Sequence, residues 1–232
     1  MARGGAPRLR YPGGLSALWG VFAFVAGYGL TYLWVVVASD RTALLERVTV
    51  WGPYTSETSL LSVIENAPAG TAELTSHRLV GGFFFGAQFV ETIIPVPSGN
   101  RVSVNFVLGA GGEHLLLLAL PPAVLILSGF LATRNVTDAF DFEFDLGGRT
   151  WQRFAINGGL ITMLGYLPVS LLVLFAYFRT PQPNIVTGWI VAGIIYPLVF
   201  GGVGGAIAHL VDDEYDAAGS TRLNRIGGAE TE

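Results

Sequence analysis

The sequence predicts an all-α integral membrane protein with four Pro-kinked transmembrane helices, alternatively five, and a small mixed extracellular cap between helices 1 and 2. Three observations lead there. The 232-residue chain is 51% hydrophobic and only 13% charged, with a mean hydropathy of +0.54, a balance suited to lipid contact over much of the surface. Several windows stay apolar for about 18 residues or more, enough at about 1.5 Å per helical residue to cross a hydrocarbon layer of about 30 Å. Pro121-Pro122, Pro168 and Pro197 sit inside three of those windows. Helices in lipid tolerate such breaks because their neighbours re-satisfy the freed carbonyls.

Residues 1–14, MARGGAPRLRYPGG, hold Arg3, Arg8 and Arg10 and no acid. The apolar stretch 15–37 is 23 residues long, longer than the core of a signal peptide, and its flank lacks an A-x-A cleavage site. It reads as a retained first span with its Arg-rich end in the cytoplasm. Residues 38–113 then form the extracellular region. Within it RVTVWGPY alternates as a short strand before a Gly-Pro turn. SETSLLSVIENAPAG reads as a short amphipathic helix capped by Ser56, with Leu60, Leu61 and Ile64 at helical spacing and Pro68 and Gly70 as its stop.

Segment 79–97, LVGGFFFGAQFVETIIPVP, reads as interfacial or re-entrant. Its sixteen residues before Pro95 reach only about 24 Å as a helix. Glu91 at the bilayer centre would also cost about 2.5 to 3.5 kcal/mol. RVSVNFVL alternates Val102, Val104, Phe106 and Leu108 against Arg101, Ser103 and Asn105, a strand pattern that GAGG ends. The second span is 114–132, the third 155–178 and the fourth 186–210. A cytoplasmic loop at 133–154 and an extracellular turn at 179–185 separate them. The polar, Gly-rich cytoplasmic tail 211–232 is expected to fray.

The number of spans turns on segment 79–97. With four spans the inside holds Arg3, Arg8, Arg10, Arg134, Arg149, Arg153, Arg222 and Arg225, eight in all; with five it holds only Arg3, Arg8, Arg10, Arg101 and Arg179. The positive-inside rule therefore favours four. The sequon Asn135-Val136-Thr137 points the other way, because glycosylation at Asn135 needs an external loop.

Candidate sites are few. Gly82 and Gly86, and Gly201 and Gly205, have the small-xxx-small spacing that lets helix backbones approach, within one chain or between copies. Gln88 and Glu91, three apart, would share a helix face and could form an ion or polar site; an interfacial acid facing water is the simpler reading. His209 and Asp213, one turn apart, could pair or hold an ion, although solvated helix ends are favoured there and for Glu113-His114. Asp141, Glu143 and Asp145 alternate with Phe140, Phe142 and Phe144, and Asp138 stands just before them. They lack the order of a calcium loop and read as the solvated edge of a membrane-hugging loop. Ser128-Gly129 lacks the GxSG of an intramembrane serine protease, since position 126 is Ile. No catalytic residue, metal site or cofactor is expected.

The chain has no cysteine, which removes disulfides and thiol chemistry. All 13 basic residues are Arg and acids number 17, a usage similar to that of extreme halophiles. With no Lys there is no retinal Schiff base. The four-span plan, with a large first external region and a short second turn, resembles that of claudin-like proteins in topology alone. GGFFFGAQFVETIIP with the following VNF, LLLLALPPAVLILSG, GYLP at 165–168 and AGIIYPLVFGGVGG at 192–205 resemble a family of uncharacterised multi-pass membrane proteins of halophilic archaea, some loosely labelled transporters. The resemblance covers most of the chain from residue 79 onward and implies a shared membrane fold, with no catalytic motif.

The expected function is that of a non-enzymatic assembly or interaction subunit in the cell membrane. Its partners would be the lipid bilayer and a second copy or another membrane protein, not nucleic acid. The rival is a small-solute or ion transporter or channel, oligomeric, built on Pro-broken helices and Glu91.

Overall fold

The computed structural model describes residues 17–52, 55–66, 74–95, 100–135, 150–176 and 181–227. Side chains from residue 212 onward, and those of residues 38, 51–57, 135, 150 and 153, lie outside the description. So does the acidic, aromatic stretch 136–149.

Helix α1 (Leu18–Tyr32) continues as a π-helical end, Leu33–Ala38. Ser39 closes it by donating its hydroxyl to the Trp34 carbonyl at 2.9 Å. Asp40 then caps α2 (Arg41–Arg47), its Oδ1 accepting from the Thr42 and Ala43 amides. Strands β1 (Thr49–Gly52) and β2 (Thr55–Ser59) pair antiparallel. Helix α3 (Leu60–Glu65) is capped by Ser59, whose hydroxyl accepts from the Ser62 amide at 3.2 Å. The sequence suggested Ser56 as this cap. Ser56 instead lies within β2, because pairing with β1 keeps the chain extended up to Ser59.

Helix α4 (Ser76–Gly86) ends where segment 79–97 was expected to be interfacial or re-entrant. A turn at residues 87–89 leads to β3 (Thr92–Pro95), which pairs with β4 (Arg101–Val104) on one side and β5 (Gln182–Pro183) on the other. The strand expected across 101–108 stops at Val104, because Asn105 caps a short α5 (Phe106–Ala110). Gly111 and Gly112 have φ of +59° and +54°, a left-handed step that glycine takes without cost.

A 3-10 stretch, Gly112–Ala119, leads into α6 (Leu120–Asn135). Pro121 and Pro122 fall just where one hydrogen-bond ladder hands over to the other, so their missing N–H groups interrupt neither run. Helix α7 (Thr150–Ala176) passes through Pro168 unbroken. The short α8 (Ile185–Thr187), capped by Asn184, opens into a π-helical stretch, Gly188–Ile195, and then α9 (Tyr196–Gly227). The wider winding ends at Ile195, two residues before Pro197, whose ring would crowd the carbonyl four residues back in a tight α-turn. Helix α9 continues past residue 211 to Gly227. No proline lies between 198 and 227 to stop it.

Among the described residues four helices are long and apolar enough to cross a membrane: Leu18–Val37, Gly112–Arg134, Phe154–Ala176 and Ile185–Val211. They form one bundle in which α9 packs broadly on α7 and α6, while α1 packs on α7 and α6. Their outer faces present large apolar side chains, among them Phe22, Leu116, Leu172 and Val199. The remaining elements form a cap whose core includes Leu44, Val48, Leu60, Leu79, Phe83, Ile94 and Phe106.

Candidate functional site

Helix α4 joins the two cores. Every residue from Leu79 to Gln88 is buried; Phe83 belongs to the cap core, while Phe84 and Phe85 belong to the bundle core with Phe24, Leu125, Tyr166 and Tyr196. Gly82 and Gly86 make this depth accessible. A Cβ on Gly82 would stand 2.5 Å from the Phe106 ring, and one on Gly86 would stand 3.0 Å from Asn105 Oδ1. These two glycines thus fit α4 against α5 and its cap rather than against another span.

A helix that ends inside an apolar core must find donors for its last four carbonyls. Here each has one. Phe83 O accepts from the Ala87 amide at 2.8 Å, and Phe85 O from the amides of Gln88 at 2.9 Å and Val90 at 3.0 Å. Gly86 O accepts from the Phe89 amide and from Asn105 Nδ2. Phe84 O accepts from Gln88 Nε2 at 3.3 Å. The turn that achieves this puts Phe89 at φ +60° with its ring exposed.

Gln88 completes the site from its other end. Its Oε1 accepts from the Tyr166 hydroxyl at 3.0 Å. Both residues are fully buried, and Tyr166 lies one residue from 165, the midpoint of the Phe154–Ala176 span. Aromatic rings pack around the pair: Phe24 meets Tyr166 edge-on at 5.1 Å and Phe84 at 5.0 Å. A polar contact at this depth is held in an apolar, low-dielectric surrounding, where an unmade partner is costly.

Glu91 is not part of this site. The helix has ended before it, so the three-residue spacing no longer places it beside Gln88, and its side chain is exposed. Its backbone carbonyl accepts from the Asn184 amide at 2.8 Å, tying the return strand to the start of the fourth long apolar helix. His209 stacks on Phe154 with centroids 4.8 Å apart, and the side chain of its expected partner Asp213 lies outside the description. Asn135 is the last residue of α6, and its side chain is likewise undescribed.

Gly201 and Gly205 pack within the chain. A Cβ on Gly201 would stand 2.9 Å from Thr162 Oγ1, and one on Gly205 would meet the Phe154 carbonyl. Ser128 donates its hydroxyl across helices to the Trp19 carbonyl at 2.7 Å. Among the described residues no group of three or more His, Cys, Asp or Glu could hold a metal. Among the described residues the buried hydroxyls lacking a partner are those of Thr92 and Thr162.

Sequence reasoning missed two participants. Tyr166 sits in GYLP with no spacing relation to Gln88, 78 positions away; a lone Gln in an apolar run signals only that some partner must exist. His114 was read as a solvated helix end, yet it is buried under the cap with its Nδ1 accepting from Trp34. Asn105 is the residue whose role is easiest to test. Its Oδ1 caps α5 through the Val107 and Leu108 amides while its Nδ2 serves Gly86 O. Asn105→Ala is expected to lower stability in mild detergent by about 2 kcal/mol. Asn105→Asp, which keeps the cap and loses the donor, should fall in between in the same denaturant titration.

The chain belongs to a family of unknown function (DUF7978), which matches it over residues 2–212. No curated protein and no solved structure matches it.

Proposed function

We propose that the chain is a multi-pass membrane protein whose four apolar helices cross the bilayer, and that it works as a non-enzymatic assembly or interaction subunit. The observation that supports this most is the closure of the bundle by α4. Phenylalanines fill its interior, the last four α4 carbonyls are partnered, and the Gln88–Tyr166 pair is bonded within the chain. The acid that a conducting path would use, Glu91, faces outward. A protein so filled offers its partners surfaces rather than a lumen.

In this reading both ends and the loop 133–154 are cytoplasmic, the cap is extracellular, and the Lys-free, acid-rich composition suits a halophilic setting. The topology is tested by single cysteines, which the Cys-free chain allows without background. In intact cells a membrane-impermeant maleimide should label Ser98→Cys and should reach Thr137→Cys only after permeabilisation. Labelling of Thr137→Cys from outside would overturn the four-span reading. The interaction role is tested by purification in mild detergent: a partner or second copy should travel with the chain, and an isolated monomer counts against it.

One observation favours a second reading as transporter or channel. A half-helix that ends inside the bundle is the architecture on which transporters build substrate sites. Reconstituted vesicles decide between them: ion or small-solute flux that depends on Gln88 would carry the second reading, and flux no greater than that of empty vesicles the first.

A further inference from the structure

A buried imidazole joins the cap to the bundle. His114, 3% exposed, stands in the 3-10 lead-in to α6, where Trp34 at the π-helical end of α1 donates its indole N–H to His114 Nδ1 at 3.1 Å. An indole nitrogen only donates, so Nδ1 is bare and the ring proton sits on Nε2. That nitrogen faces Glu113 Oε1 at 3.9 Å. Glu113 in turn accepts from Arg47, at the end of α2, at 2.9 Å. The Phe83 ring of α4 lies 5.9 Å from the imidazole. Segments from four parts of the chain therefore meet at one ring.

The charged groups that act on His114 are Glu113 and Arg47. The other elements packed there bring none: α5, FVLGA, has no titratable side chain, the end of α1 presents Trp34, and α4 presents Phe83. The ionisable residues of α4, His77 and Arg78, sit at its opposite, N-terminal end.

We infer that His114 is a pH-sensitive latch between the cap and the first span. In the neutral form Nδ1 accepts the Trp34 N–H and holds the end of α1 against the lead-in to α6. A proton taken from solvent occupies the lone pair that Trp34 uses, so two donors then face each other and the contact is lost. Glu113 meanwhile pairs with the imidazolium at Nε2, so the ring keeps a partner while Trp34 does not. The latch is closed while the ring is neutral and opens as falling pH protonates it.

The test uses Val35→Cys, beside Trp34 and 1% exposed as valine, in an otherwise Cys-free chain. Its labelling by a water-soluble maleimide is measured at about pH 7.5 and about pH 4, values above and well below the ordinary imidazole range. Each rate is taken relative to exposed Ser103→Cys, which cancels the pH dependence of the thiol itself. The relative rate should rise about tenfold at the lower pH, the effect of one lost buried hydrogen bond. In a His114→Gln background it should not change with pH, because the Gln carbonyl accepts from Trp34 and does not titrate. A flat ratio in the parent, or an undiminished pH response in His114→Gln, overturns the latch. If His114→Gln does not fold, Trp34→Phe serves instead: it should be open at both pH values, and a response as large as the parent's overturns the inference.

Discussion

Gly165→Ala is expected to lower stability by about 3 kcal/mol and to detach the first helix from the bundle, the largest effect of any methyl group added to a glycine among the described residues. The added Cβ would land on the Ala17 carbonyl and 2.9 Å from the Val21 amide. These are backbone atoms of α1 and its first turn, so no side-chain rotation relieves the clash. The opposing position has the same constraint: a Cβ on Gly20 would stand 2.6 Å from the Tyr166 amide and 2.9 Å from the Gly165 Cα. Two helices that touch backbone to backbone in an apolar surrounding are held by packing rather than by water exclusion, so forcing them apart removes the attraction over the whole crossing. Gly29→Ala is the matched control. Nothing lies within 4 Å of its Cβ position, and the gain in helix propensity, about 1 kcal/mol, should leave stability equal or higher. Denaturant titration in mild detergent, following helicity, separates the two outcomes. Equal stability of Gly165→Ala and Gly29→Ala would show that the α1–α7 crossing is not tight.

The contrast between those glycines marks what a sequence can and cannot reveal. Length and hydropathy locate the four long apolar helices because those are properties of consecutive residues, and GGVGG announces that something must come close. Which helix comes close is not a local property. Gly165 was noticed only as part of GYLP, and Gly20 not at all, because their partners lie more than a hundred positions away. The Gln88–Glu91 pairing failed for a related reason: helical spacing was extended past Gly86, where the chain turns and sends the two side chains to opposite environments. The Ser56 cap failed because a β-pairing with residues 49–52 extended the chain by three more residues. His114 shows the limit most clearly. Beside Glu113, at the mouth of an apolar helix, it reads as solvated, and only the cap folded over it makes it a buried acceptor for Trp34.

Removing either member of the Gln88–Tyr166 pair is expected to cost more than removing both costs per residue. Tyr166→Phe leaves Gln88 Oε1 without its donor in a site that water does not reach, a loss of about 1 to 3 kcal/mol. Gln88→Leu, close in volume, strands the Tyr166 hydroxyl and also takes the Nε2 donor from Phe84 O, so it should be the more damaging single change. The double variant has no stranded hydroxyl and no stranded amide oxygen. Its destabilisation should fall short of the sum of the singles by about 1 kcal/mol, the scale of buried polar pairs between helices in lipid. A denaturant titration of the four proteins in one detergent measures this coupling. Additivity within error would mean that the two groups do not bond to each other in solution. The same four proteins bear on function, because they change the polarity of the bundle centre with little change in its shape. If the chain works through its surfaces, partner co-purification should follow stability across the four proteins. If the end of α4 is instead a site for a polar solute, flux should fall in every variant by more than its loss of stability explains.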